Sequence, residues 1–168
     1  MSRTAAAAPV TSPPAPFPAR IATTRFGDLV VDESRVLRFP EGLPGFPAET
    51  EWVLVPHAAD GASPFVWLQS ARRADLAFLL MPPALAFPDY APPLPPDVDG
   101  AAASGASLWV VVTVPAGDPR AMTANLLGPI VLEEGARRGR QVVLGDDRYT
   151  TRHPVFPSGA AVAGAAGA

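Results

Sequence analysis

The chain contains no cysteine and no lysine, and its 168 residues include only two histidines, His57 and His153. Without cysteine there is neither a disulfide staple nor a thiolate metal site, which fits a reducing compartment. Two histidines far apart in sequence exclude a histidine-rich metal cage, and no carboxylate cluster at ligand spacing replaces it, so no metal and no cofactor is expected. No apolar run approaches the roughly 20 residues of a helical membrane span, so no membrane association is expected. Residues 1–20 lack the uninterrupted apolar stretch of a secretory signal. All thirteen cations are arginine, which, with the abundant alanine, reads as the coding bias of a GC-rich genome. The net charge of −3 lacks the basic footprint of a nucleic-acid binder, so no direct nucleic-acid contact is expected. An acidic surface suits a basic protein partner better.

What the chain has in quantity is proline, 22 residues, with 14 glycines. Proline removes a helical donor and clashes with the preceding turn, so long helices are disfavoured. Residues 1–20 (Ala-rich, then Pro-rich) and 157–168 (Gly/Ala) read as disordered tails flanking one domain over 21–156. Within that domain the pattern is β: short strands over 21–26, 28–32, 36–39, 52–55, 65–69, 77–81, 108–114, 129–133 and 140–144, separated by Gly/Pro turns. Leu108–Val114 is the strongest, a β-branched run that predicts burial on both faces. The turn Gly135–Gly139 closes a hairpin, with glycine expected at any positive-φ position. Only Asp118–Ala124 suits a helical turn, with Asp118 as N-cap and Pro119 at the first helical position. The expected fold is all-β, a compact, flattened, antiparallel β-barrel-like single domain with at most one or two short helical turns, since closure hides strand edges. Phe39, Phe65, Trp67, Phe78, Leu80, Trp109, Val111, Ile130 and Val143 are the expected core.

Polar chemistry is sparse. Phe39-Pro-Glu-Gly-Leu-Pro-Gly-Phe46 is a strand exit and two tight turns. Its prolines lack N–H donors and it carries Glu41, which excludes a phosphate cradle. It reads as a rigid connector with both phenylalanines in the core, or as a preorganised docking loop presenting Glu41, Leu43 and Phe46. Phe87-Pro-Asp-Tyr90, in a proline-dense stretch, reads as a stiff loop presenting Phe87, Asp89 and Tyr90. Asn125 and Thr123 are expected to satisfy backbone groups at the Gly128-Pro129 break. Glu133 and Glu134 add carboxylates near the hairpin, and Arg152-His153 before Pro154 can meet a partner carboxylate. An alternative is a small-ligand-binding barrel or a hydrolase built on Asp89 and His153, which requires the two to meet at hydrogen-bond distance.

Several of these segments recur in one order. Phe26-Gly27, Phe39–Phe46, Pro64-Phe-Val-Trp-Leu-Gln-Ser70, Asp75-Leu-Ala-Phe78 and Phe87–Tyr90 come first. Met122-Thr-Ala-Asn-Leu-Leu-Gly-Pro-Ile-Val131, Gly139-Arg-Gln-Val-Val-Leu144 and Tyr149-Thr-Thr-Arg-His-Pro154 complete the set. Together they resemble the FliW family over residues 21–155. The resemblance implies a cytoplasmic, non-enzymatic, β-barrel-like protein. It also implies two partners, flagellin before export and the RNA-binding regulator CsrA, which is thereby kept from repressing flagellin translation. Accumulating flagellin would sequester such a factor and release CsrA. The Pro/Ala/Gly-rich residues 91–107 and the N-terminal tail depart from the family pattern.

Overall fold

The structure, a computed structural model, describes residues 20–96 and 105–156. Apart from Arg20, the two segments expected to be tails lie outside the described residues, as do residues 97–104 of the Pro/Ala/Gly-rich stretch. Eleven strands are described: β1 (Arg20–Thr23), β2 (Gly27–Val30), β3 (Val36–Arg38), β4 (Glu51–Pro56), β5 (Val66–Ser70), β6 (Ala77–Met81), β7 (Ser107–Thr113), β8 (Thr123–Ala124), β9 (Ile130–Glu133), β10 (Arg138–Gln141) and β11 (His153–Pro154). Three single 3-10 turns are described, at Glu33–Arg35, Pro83–Leu85 and Pro119–Ala121. Asp118 caps the last of them by accepting from the Arg120 N–H, with Pro119 at its start. Asp32 caps the first in the same way, and its carboxyl is held below its ordinary range by hydrogen bonds from Ser34. The sequence pattern had pointed only to the last turn.

Seven strands close a barrel in the order β3-β4-β5-β6-β7-β9-β10 and back to β3. β1 and β2 form a separate hairpin. One edge of β7 serves two neighbours: Ser107–Trp109 pair with β9, while Val112 and Thr113 pair with β8. β8 in turn carries β11. Every junction but one is antiparallel. β3 and β10 run parallel and meet at a single register pair, Arg38 and Arg138, next to the Arg38 N–H donating to Arg137 O at 2.9 Å. The expected all-antiparallel ring therefore has one parallel seam, because the β9–β10 hairpin returns alongside β3 in the same direction.

The period-two alternation of strands divides the apolar residues between two layers. Leu68 of β5 and Leu80 of β6 point into the barrel with Leu37, Phe39, Trp52, Ile130 and Leu132; Phe78, Trp109 and Val111 pack against them partly buried. Trp52 leans on Phe39 and Phe78, with ring centres 6.1 and 5.7 Å away. On the outer wall, Leu79, Met81, Val110 and Val112 form a second cluster with Ala124, Leu126 and Val155. β7 thus contributes to apolar clusters on both faces, as its composition predicts.

Three expectations need correction. Val143 is not in the core but 66% exposed. Val142 and Leu144, whose N–H groups donate to Pro129 O and Leu127 O, take the buried positions, so alternation turns Val143 outward. Phe65 and Trp67 pack half-buried in the outer layer, not inside the barrel, and the fully buried Trp52 takes the central place. In the β9–β10 turn it is Arg137, not a glycine, that adopts φ 53°. Its guanidinium donates to Glu33 O at 3.0 Å, which holds the turn in that conformation.

Candidate functional site

The ten residues singled out from sequence fall into two groups. The first surrounds the turn after β3. Gly42, at φ 66°, donates to Phe39 O, and Leu43 and Phe46 exchange backbone hydrogen bonds at 3.3 and 2.7 Å. A Cβ on Gly42 would run into the backbone of Phe46 and Pro47, so only glycine closes this turn. Leu43 is 4% exposed and packs in the barrel core; Phe46 is half-buried, edge-on to Phe78 at 5.6 Å. Both side chains anchor the loop, so its outward chemistry is that of Glu41. Glu41 borders a cleft of about 360 Å³ at the parallel seam, together with Glu133, Arg138 and Arg140. The fold therefore brings Glu41 and Glu133 to one depression. Glu134 borders a different one, of about 240 Å³, with Arg35 and Arg137.

The second group lies on the outer layer. Phe87 meets the His153 ring edge-on at 5.3 Å, and Tyr90 meets Tyr149 edge-on at 4.9 Å. The Tyr90 hydroxyl donates to Leu126 O at 2.6 Å. Burial, helped by Tyr149, pushes the Tyr90 phenol well above its ordinary value. Tyr149 is framed on its other side by Arg148, whose guanidinium lies 5.3 Å from the ring and grips Asp146 through Nη2 at 2.6 Å and Nε at 3.0 Å. That grip holds the Asp146 carboxyl below its ordinary range. Asp89 and Arg152 are exposed beside this aromatic knot, as are Leu85 and Phe156. No hydrogen bond or ion pair joins Asp89 to His153, so the pair that a hydrolase reading requires is not formed. Among the described residues no group of three His, Asp or Glu side chains could hold a metal ion, and no helix is long and apolar enough to cross a membrane.

Asn125 does what its position in the apolar run implies: its Oδ1 accepts from the Gly128 N–H at 2.9 Å, while Gln141 Nε2 donates to Gly128 O at 2.8 Å. Sequence reasoning missed Tyr149 and Leu126; Arg138 and Arg140 read from sequence, with Arg137, as a small basic patch on a solvated turn, and the fold places both at the cleft. Tyr149 stood within a quoted segment, but only the fold sets it against Tyr90.

A sequence model of the family described as FliW protein matches residues 20–155. The chain is 41% identical over 141 residues to the flagellar assembly factor FliW of Moorella thermoacetica, covering 82% of this chain and 88% of that protein. It is 42% identical over 147 residues to the flagellar assembly factor FliW of Heliobacterium modesticaldum, covering 84% and 93%. A crystal structure of the flagellar assembly factor FliW superposes with a TM-score of 0.74 at 34% identity, covering 83% of this chain and 99% of that one.

Proposed function

The chain belongs to the FliW family, whose named relatives are flagellar assembly factors, and we propose that it binds flagellin in the cytoplasm and antagonises CsrA. In this reading it couples flagellin synthesis to flagellum assembly as a binding protein, without catalysis. The observation that carries the flagellin half is the aromatic knot of Phe87, Tyr90 and His153. It is half-buried and braced by Tyr149 and the Leu126 carbonyl, and the exposed Leu85 and Phe156 lie close to it along the chain. Rigid aromatic surface loses little conformational freedom on binding and suits the apolar face of an unpolymerised flagellin terminus.

The CsrA half is supported by charge. CsrA binds RNA and must present basic faces, and the chain carries a net charge of −3. Glu41 and Glu133 share one cleft, where Arg138 and Arg140 offset their charge, so the support comes from the chain's overall balance and from the carboxylates available to pair. A titration of both partners against two variants tests the reading. Phe87→Ala is expected to weaken flagellin and spare CsrA; Glu41→Gln with Glu133→Gln is expected to slow CsrA association, less so at high salt. Equal losses for both partners in either variant would mean a shared surface. Undiminished binding in both variants would remove these residues from the reading.

A further inference from the structure

Where the outer layer is not covered by β8, β11 and the Phe87–Tyr90 loop, a groove of about 580 Å³ runs past Arg25, His57, Trp67, Leu79, Val112 and Val114. None of these residues belongs to the surfaces assigned above. The floor is apolar, and Val114 stands 41% exposed within it. The rim carries hydrogen-bond donors. The Arg25 guanidinium lies 4.2 Å from the centre of the Trp67 ring, and His57 stacks on the same ring at 6.3 Å. Phe26 meets Trp67 edge-on at 6.0 Å and steadies it.

Both main donors lack acceptors. Among the described residues Arg25 has no carboxylate within ion-pair reach, as is also true of Arg35, Arg120, Arg137, Arg138 and Arg152; of these it alone is held over an aromatic ring, whereas Arg73 and Arg148, which also lie over rings, are ion-paired. Trp52 Nε1–H donates to Glu49 O at 3.0 Å and Trp109 Nε1–H to Ser107 Oγ at 2.8 Å. Trp67, the third tryptophan, donates to no described residue. A guanidinium held on an aromatic face is fixed in position while its N–H groups stay available.

We infer that this groove binds a segment of another protein in which an acidic side chain is flanked by apolar ones. The carboxylate accepts from Arg25, with the Trp67 indole N–H beside it, and the apolar neighbours cover Leu79, Val112 and Val114. Charge complementarity selects the acid: on a chain of net charge −3, Arg25 is a cation without a counter-ion above an apolar floor. A nucleic-acid strand would require a row of cations, since affinity there comes from neutralising successive phosphates. The inference stands independently of the flagellin and CsrA reading.

The test follows the indole N–H resonances of the 15N-labelled full chain, one per tryptophan. The probes are an acetylated, amidated hexapeptide Leu-Glu-Leu-Leu-Glu-Leu and its glutamine counterpart. The Trp67 resonance is expected to shift while those of Trp52 and Trp109 stay. The glutamine peptide is expected to bind about fivefold more weakly, the effect of one exposed ion pair. In Arg25→Gln, a change at an exposed side chain, the two peptides are expected to bind alike. Three results would overturn the inference: a Trp67 resonance unmoved at millimolar peptide, equal binding of both peptides to the unaltered chain, or tighter binding of oligouridylate than of the glutamate peptide at Trp67.

Discussion

The inside and the outside of the barrel wall are built from the same strands but to different standards. Inside, Phe39, Trp52, Leu68, Leu80, Ile130 and Leu132 are fully buried around a closed centre. Outside, Val110 and Ala124 are buried to the same degree, but the aromatic residues around them, Trp67, Phe87, Tyr90 and Tyr149, remain half-exposed. These six interior side chains are themselves out of solvent, with partly buried Phe78, Trp109 and Val111 packed against them, and serve stability. The outer layer keeps its large rings partly wet and fixes them with single hydrogen bonds and edge contacts, which suits a surface waiting for a partner. Removing a ring should therefore be costly inside, and outside should reduce stability less and binding more.

The sharpest test of that contrast is a pair of truncations. Trp52→Ala is expected to cost about 3–5 kcal/mol, the range for a buried large aromatic, and Phe87→Ala about 1–3 kcal/mol in proportion to its half-burial. Urea unfolding of both variants measures the difference, and equal costs would mean that the two layers form one core. Gly139→Ala probes the interior from the opposite direction. A Cβ there would collide with the Phe39 ring, so overpacking of about 1–3 kcal/mol is expected, with Phe39→Leu in the same chain relieving it.

A smaller effect should appear in the outer layer on the alkaline side. The folded state raises the Tyr90 pKa above its unfolded value of about 10. The stabilisation is therefore complete below pH of about 10 and is lost as pH rises toward the folded value. Tyrosinate absorbance should report one of the two tyrosines resisting ionisation until the chain unfolds, and Tyr90→Phe should abolish that behaviour. The smallest effect is on the acid side. Asp146, its pKa lowered by Arg148, contributes above its unfolded value of about 4, and that contribution disappears as pH falls through the folded value. Asp146→Asn should flatten the acid limb of the stability profile slightly, by lowering stability a little at neutral pH while leaving it unchanged below the folded value.

The strands were legible wherever alternation or a β-branched run was strong. Leu108–Val114 corresponds to β7 within one residue, and Ala77–Met81 matches β6. Parity was less legible, because a run such as Val142-Val143-Leu144 is apolar at every position and its inward side is set by pairing with Leu127 and Pro129. Trp52 was hidden by a weakly alternating run. Of the site, the aromatic loop was visible as Phe87-Pro-Asp-Tyr90, but its braces, Tyr149 and the Leu126 carbonyl, are supplied by tertiary contact alone. The turn Phe39–Phe46 was recognisable as rigid. That Leu43 faces inward and Glu41 outward depends on the positive φ at Gly42 and on the hairpin bonds between Leu43 and Phe46.

The parallel seam between β3 and β10 has a kinetic consequence. The other barrel contacts within Val36–Met81 link strands that follow one another along the chain, and can form early by local zipping. The seam joins Arg38 to Arg138 across most of the domain, in exchange for a single register pair. Loop-closure entropy makes such a contact slow to form and the first to open. The ring should therefore close last in refolding. In native-state hydrogen exchange the Arg38 amide should exchange faster than that of Leu68, whose strand is flanked by β4 and β6. Equal protection at the two amides would show that the barrel opens only as a whole. Otherwise the cleft holding Glu41 and Glu133 sits at the hinge of a ring that breathes there, and a partner seated in it would act as the missing clasp.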